Sequence, residues 1–214
     1  LASHIALEES GLPYRAIDVN IRANENKRPE YLALNPSGTV PALGIDDVIL
    51  TESQAILTYV ADLVPDRKLL PRVGSLARAK AHQWMNLVSS SLHVAYRAIF
   101  RPQAYAGTSP AGIDAVREQG HANLASTLAL IEKRLGGAPY AMGDSFTVVD
   151  AYLFVFYLWS FDERLSRPLP PRPHYEALAG RVWQRTAVRT VVARERLVRA
   201  YELPWKLDLK GITS

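Results

Sequence analysis

The 214 residues are long enough for one large domain or two modest ones with a substantial buried core. Hydrophobic residues make up 48% and charged residues 21%, which argues against disorder, and no apolar run approaches the ~20 residues of a membrane span. Without cysteine there is no disulfide framework or thiolate metal site, and a net charge of +4 leans only mildly toward anionic partners.

The first residues read as the end of a helix: Leu1, Ile5 and Glu8-Glu9 fit helical spacing, and Gly11-Leu12-Pro13 is a stop signal. From Ile17 the period becomes two. Ile17, Val19 and Ile21 alternate with Asp18, Asn20 and Arg22, which predicts a half-buried strand. Pro29 opens a short helix through Tyr31 and Leu34 that Asn35-Pro36 closes. Val40 to Leu43 and Val48 to Leu50 flank the turn-forming Asp46-Asp47 as a hairpin. Thr51 then starts a helix, with Gln54 completing a capping box and Ala55, Ile56, Tyr59, Val60 and Leu63 on one face.

Pro65-Asp66-Arg67-Lys68 and Pro71-Arg72-Val73-Gly74 bracket a short polar linker, so the domains divide as 1–66 and 73–214. Everything beyond reads as helix. The spacing predicts helices over 75–100 and 110–135, the second stopped by Gly136-Gly137, another from Thr147, and two more within 173–198. The second domain is expected to be an all-α bundle. Arg181, Arg185 and Arg189 recur every four residues and so share one helix face. Without interleaved aromatics or a nucleic-acid motif, a solvated face is the better reading than a nucleic-acid stripe.

Three short segments bear on chemistry. Pro41 cannot donate to a sheet ladder, so Val40-Pro41 suits an edge, a turn or a cis bond. A cis bond would present the backbone of Val40 to an extended ligand as a strand edge, whereas a trans bond would be merely structural. Thr51-Glu52-Ser53 opens a helix whose free N–H groups suit a carboxylate, while Glu52 suits an ammonium group. Together they would hold the α-amino-acid end of a molecule; the plainer alternative is a helix cap. Thr147 with Asp150, and Phe146 as its staple, is a second, structural cap.

Four separated stretches carry a resemblance: Leu1-Ala2-Ser3-His4-Ile5, the run from Asn35 to Leu43, the run from Leu50 to Ile56, and the cap from Phe146 to Tyr152. In that order, and over essentially the whole chain, they resemble glutathione transferases, most closely the bacterial beta class. The resemblance implies an α/β thioredoxin-like first domain, an all-α second domain and a homodimer. With no secretory signal and no cysteine the cytoplasm is the default, and no metal, nucleic-acid or membrane partner is expected. It implies glutathione as co-substrate, with Val40 before cis-Pro41 along its cysteinyl part and Glu52 and Ser53 on its γ-glutamyl end. Lys27 falls near the position that meets the glycyl carboxylate, and Asn86 and Ser90 match positions that reach the other subunit's site. His93 is similar in place to a histidine near the catalytic centre, although Val94 stands where the family usually has lysine; a packed or solvated histidine is the alternative.

Tyr96, Phe100, Tyr157 and Trp159 either wall a pocket for an apolar electrophile or belong to the core. The implied activity is conjugation of glutathione to that electrophile. The alternatives are a non-catalytic glutathione or hydrophobic-ligand binder, and a peroxidase, isomerase or lyase on the same scaffold. Neither Ser3 nor Tyr14 sits where the family places its thiol-activating residue. That residue is therefore expected upstream of Leu1, together with a first strand lying between the 17–21 strand and the strand at Val40, in about ten further residues.

Overall fold

In the computed structural model, which describes residues 1–195, the chain opens on helix α1 (Ala2–Ser10). Gly11 closes it at φ 71°, a left-handed cap that favours glycine. Helix α2 (Pro29–Leu34) starts on a proline, whose missing N–H falls among the donors a helix leaves unpaired anyway. Strands β1 (Ala42–Ile45) and β2 (Val48–Thr51) form an antiparallel hairpin across Asp46-Asp47, with Ala42 opposite Thr51 and Leu43 opposite Leu50. Helix α3 (Ser53–Leu63) follows and buries Ile56, Leu57, Val60 and Ala61, packing on α1, whose Ala2, Ile5 and Ala6 are buried in the same core.

The segment 17–21 is not a strand. Ile17 is 68% exposed, and Ile21 opens a 3-10 turn (Ile21–Ala23) capped by Asn20, whose Oδ1 accepts from the Ala23 N–H at 3.1 Å. Alternating apolar residues supply a face, but a strand also needs a hydrogen-bonded neighbour, and this segment has none among the described residues. Thr51 does not start α3 either. It ends β2 opposite Ala42, Glu52 becomes the N-cap, and no capping box forms with Gln54. The hairpin begins at Ala42 rather than Val40, consistent with a proline at 41 that has no N–H to give. Within the linker that read as polar, Leu69 and Leu70 are buried, and the Leu69 C=O accepts the Val148 N–H at 3.0 Å.

The predicted 75–100 rod consists of α4 (Leu76–Leu87), a π-helical turn (Val88–Leu92) and α5 (His93–Phe100). At its irregular centre the Ser89 and Ser90 hydroxyls donate to the Asn86 C=O at 3.2 and 2.7 Å, back-bonding of a kind that perturbs a helix. Buried Arg78 of α4 forks onto Asp62 of α3 at 2.9 and 2.6 Å and donates to the Pro71 C=O at 3.0 Å. One guanidinium thereby ties α3, the linker and α4 together.

A short α6 (Gln103–Ala106) leads to α7 (Pro110–Leu135), with Pro110 as its first residue and Gly136 as its left-handed end. Then come α8 (Val148–Trp159), α9 (Pro173–Trp183) and α10 (Thr186–Arg194). Helix α8 is buried on nearly every side, as a helix without a polar face must be, and α1, α3, α4 and α9 all pack on it. Among the described residues, no helix is long and apolar enough to cross a membrane.

The arginine face at the C-terminal end is corrected as well. Because α9 ends at Trp183 and α10 begins at Thr186, Arg181 and Arg185 do not share a helix. Arg181 donates to the Pro139 C=O at 3.2 Å. Arg185 forks onto Glu9 of α1 at 2.5 and 2.7 Å, with its guanidinium 4.1 Å over the Phe146 ring. What read as a solvated face is in part a tie between the two halves of the molecule. The predicted helix residues 196–198 lie outside the described residues.

Candidate functional site

The loop from Asn35 to Pro41 is shaped by two buried carboxamides. Asn35 donates to the Thr39 C=O at 2.8 Å, while its Oδ1 accepts the Ser37 N–H at 3.2 Å and the Ser37 hydroxyl at 2.7 Å. Asn26 donates to the Gly38 C=O at 2.7 Å. Gly38 has φ 58°, and a Cβ there would lie 2.6 Å from the Lys27 Nζ and 2.9 Å from the Asn26 C=O, so only glycine fits. Lys27 folds over this loop and donates to the Ser37 C=O at 3.3 Å. The Val40-Pro41 bond is cis. Val40 is 39% exposed and lies outside the ladder, and its backbone groups have no hydrogen-bond partner among the described residues.

Glu52 sits at φ 67° and ψ 119°, a conformation that costs an ordinary side chain on the order of 1–3 kcal/mol. Its carboxylate is exposed at the start of α3 and makes no capping hydrogen bond. Such strain is common where a side chain must be held in one place for a ligand. Ser53, next along, approaches the phenol of Tyr152 on α8. Burial raises the Tyr152 pKa above its ordinary value, and the contact with Ser53 opposes that shift.

From Tyr152 an aromatic stripe runs along α8 to Phe156 and Trp159, at the spacing of one helix face. The Tyr152 and Phe156 rings lie 5.6 Å apart, and Phe156 and Trp159 4.8 Å apart. His93 of α5 faces this stripe, with its ring 5.5 Å from both Phe156 and Trp159 and its outer edge open to solvent. Partial burial lowers its pKa below the usual 6.5; the nearby Arg97 adds to the effect and Glu52 opposes it. Tyr152 and Phe156 are buried, so of this stripe only Trp159 is partly exposed beside His93, and Glu52 is near enough to His93 to act on its charge. A proton titration of His93 followed by NMR should give a midpoint below 6.5, and Glu52→Gln should lower it further by removing the opposing charge.

The four aromatics flagged in the sequence divide. Phe100 and Trp159 are half-buried with rings 5.7 Å apart, and fully buried Tyr96 packs behind them, 5.5 and 5.6 Å from the two. Tyr157 is a core residue, 5.4 Å from the rings of Phe161 and Tyr175. Asn86 and Ser90 are exposed on the outer side of the α4 rod, and neither hydrogen-bonds to Val40, Glu52 or Ser53 of its own chain among the described residues. Ser3 is buried in α1. Burial and a 2.5 Å hydrogen bond to Glu8 push the Tyr14 pKa up to about 12, so it stays a protonated phenol near neutrality, already committed to Glu8.

Residues 2–63 match the family described as glutathione S-transferase, N-terminal domain, and residues 114–180 the one described as glutathione S-transferase, C-terminal domain. The chain is 36% identical to the glutathione S-transferase GstA of Escherichia coli O157:H7 over 199 residues, or 92% of this chain and 94% of that protein. The chain belongs to the glutathione S-transferase family. Among solved structures, this family member is similar to a glutathione transferase homologue from Sulfitobacter with bound glutathione. The TM-score is 0.81 at 30% identity, over 91% of this chain and 92% of that one. It is also similar to the bacterial beta class glutathione S-transferase of Sphingomonas chungbukensis, with a TM-score of 0.78 at 33% identity over 92% and 94% of the two chains. The elements up to α3 are thus the thioredoxin-like part of a glutathione S-transferase fold, and the helices from α4 onward its helical part.

Sequence reasoning assigned no role to Asn26, Tyr152 or Arg97. Asn35-Pro36-Ser37-Gly38 did carry the signature of an Asn side chain folding back on its own turn. Asn26 gave no such signal, because its partner Gly38 lies 12 residues away.

Proposed function

We propose that this protein conjugates glutathione to electrophilic, apolar small molecules as a cytoplasmic homodimer. The observation that carries the reading is the meeting of an amino-acid-binding corner, Glu52 and Ser53 at the start of α3, with an aromatic surface and a histidine. The unpaired Val40 edge pairs with the cysteinyl backbone of glutathione, Glu52 and Ser53 hold its γ-glutamyl end, and Lys27 meets its glycyl carboxylate. That arrangement delivers the thiol toward His93 and the partly exposed Trp159 beside it.

A free thiol titrates near ~8.5, so conjugation at neutral pH depends on stabilising the thiolate. His93, held neutral, hydrogen-bonds the sulfur, and the aromatic wall excludes water from the electrophile. The exposed Asn86 and Ser90 reach the partner subunit's glutathione. Sedimentation at micromolar concentration should give a dimer, and a monomer would remove Asn86 and Ser90 from the site.

Incubation of the intact protein with glutathione and 1-chloro-2,4-dinitrobenzene tests the activity. Mass spectrometry should find the thioether, formed as sulfur displaces chloride, at a rate above the uncatalysed one. Saturable glutathione binding without conjugate would favour a carrier of hydrophobic ligands instead. Turnover of a peroxide or of an isomerisable substrate alone would favour another glutathione-dependent enzyme.

A further inference from the structure

One turn beyond His93, on the same stripe of α5, stands Arg97. It is exposed, its guanidinium lies 5.7 Å from the centre of the Tyr105 ring, and it has no carboxylate partner among the described residues. Arg164, at the same end of the aromatic surface, differs. It stacks 3.9 Å over Phe100 and forks onto Asp162 at 2.7 and 2.6 Å, so its charge is already matched. Phe100 is three residues from Arg97 on α5 and therefore its surface neighbour.

Arg164 covers the Phe100 ring, so half-buried Trp159, which adjoins Phe100 at 5.7 Å and His93 at 5.5 Å, is the aromatic surface left beside His93. Because His93 and Arg97 stand one turn apart on α5, a flat apolar molecule lying against Trp159 would bring one end toward His93 and the other toward Arg97. A guanidinium forks onto a carboxylate or sulfonate and stacks on aromatic faces, so it suits a molecule that is aromatic at one end and anionic at the other. The exposed carboxylate of Glu52, which also acts on the charge of His93, would repel an anionic group and so disfavours the reverse orientation.

Building on the reading of the chain as a conjugating transferase, we propose that Arg97 binds an anionic group on the second substrate, so that the enzyme prefers aromatic electrophiles bearing a carboxylate or sulfonate. The probes are 4-chloro-3,5-dinitrobenzoate and its neutral amide, 4-chloro-3,5-dinitrobenzamide. With either one, the glutathione sulfur bonds to the carbon bearing chlorine, chloride leaves with the bonding electrons, and the thiol proton goes to solvent. The readout is the carboxylate-to-amide ratio of kcat/KM, divided by the same ratio for the uncatalysed reaction.

The ratio should exceed one for the wild type, fall about tenfold in Arg97→Gln, and be largely retained in Arg97→Lys. An equal ratio in wild type and Arg97→Gln, with both substrates conjugated, would overturn the role of Arg97 and leave the transferase reading standing. Conjugation of neither substrate by the wild type would overturn both.

Discussion

Replacing Asp150 with alanine should lower the unfolding free energy by about 3–5 kcal/mol, a large part of the ~5–15 kcal/mol that typically separates folded from unfolded protein. Its carboxylate is fully buried and accepts from the Thr147 N–H at 2.7 Å, the Thr147 hydroxyl at 3.0 Å and the Ala141 N–H at 2.7 Å. The first two contacts cap α8, the helix around which the core is built. The third pins the turn at Tyr140–Gly143 to the same cap. Alanine would strand buried donors, and each costs on the order of 1–3 kcal/mol.

The same site has a pH signature. Burial raises the Asp150 pKa from its ordinary 3.8 to about 6, against the opposing pull of those hydrogen bonds. Between these two values the folded chain binds a proton that the unfolded chain has released, so stability falls as pH rises through the window. The contribution is therefore full below pH ~4 and lost above ~6. Asp150→Asn removes the titration. Urea unfolding of both proteins should show the difference shifting toward the wild type by about 2–3 kcal/mol as pH drops from 7 to 4. A difference that stays flat across that range would contradict the buried-carboxylate reading.

Elements bounded by local chemistry were legible in the sequence. Helix α7 was read to its ends because Pro110 can only open it and Gly136 readily closes it. The Thr147–Asp150 cap was legible because all its partners lie within one turn. What failed depended on distant partners. Residues 17–21 alternate as a strand would, but alternation specifies a face and not a neighbour. Arg185 read as surface because Glu9, to which it is tied, lies 176 residues away. Thr51 was misplaced because a threonine suits the end of a strand as well as the start of a helix, and its pairing with Ala42 decided between them.

The site divides in the same way. Val40-Pro41 and Glu52-Ser53 announce themselves through a proline at a strand entry and a polar pair before a helix; in the structure Val40 and the Glu52 side chain are exposed, and the Val40-Pro41 bond is cis. Arg97 gave no signal, since an arginine on a helix surface is unremarkable until Phe100, Trp159 and a partnered Arg164 are seen around it.

The central claim is that the start of α3 holds the amino-acid end of glutathione, with Glu52 accepting from its ammonium group. Glu52→Gln keeps the shape and removes the charge. Because the side chain is exposed and makes no capping hydrogen bond, the fold should be indifferent to the change. A charge-assisted hydrogen bond contributes about 1.5–3 kcal/mol, or roughly 10- to 100-fold in affinity. Calorimetric titration of glutathione into the intact wild-type and Glu52→Gln proteins measures this directly. Affinity should drop by that factor while the unfolding midpoint stays in place. Equal affinity in the two proteins would show that glutathione, wherever it binds, does not use this corner.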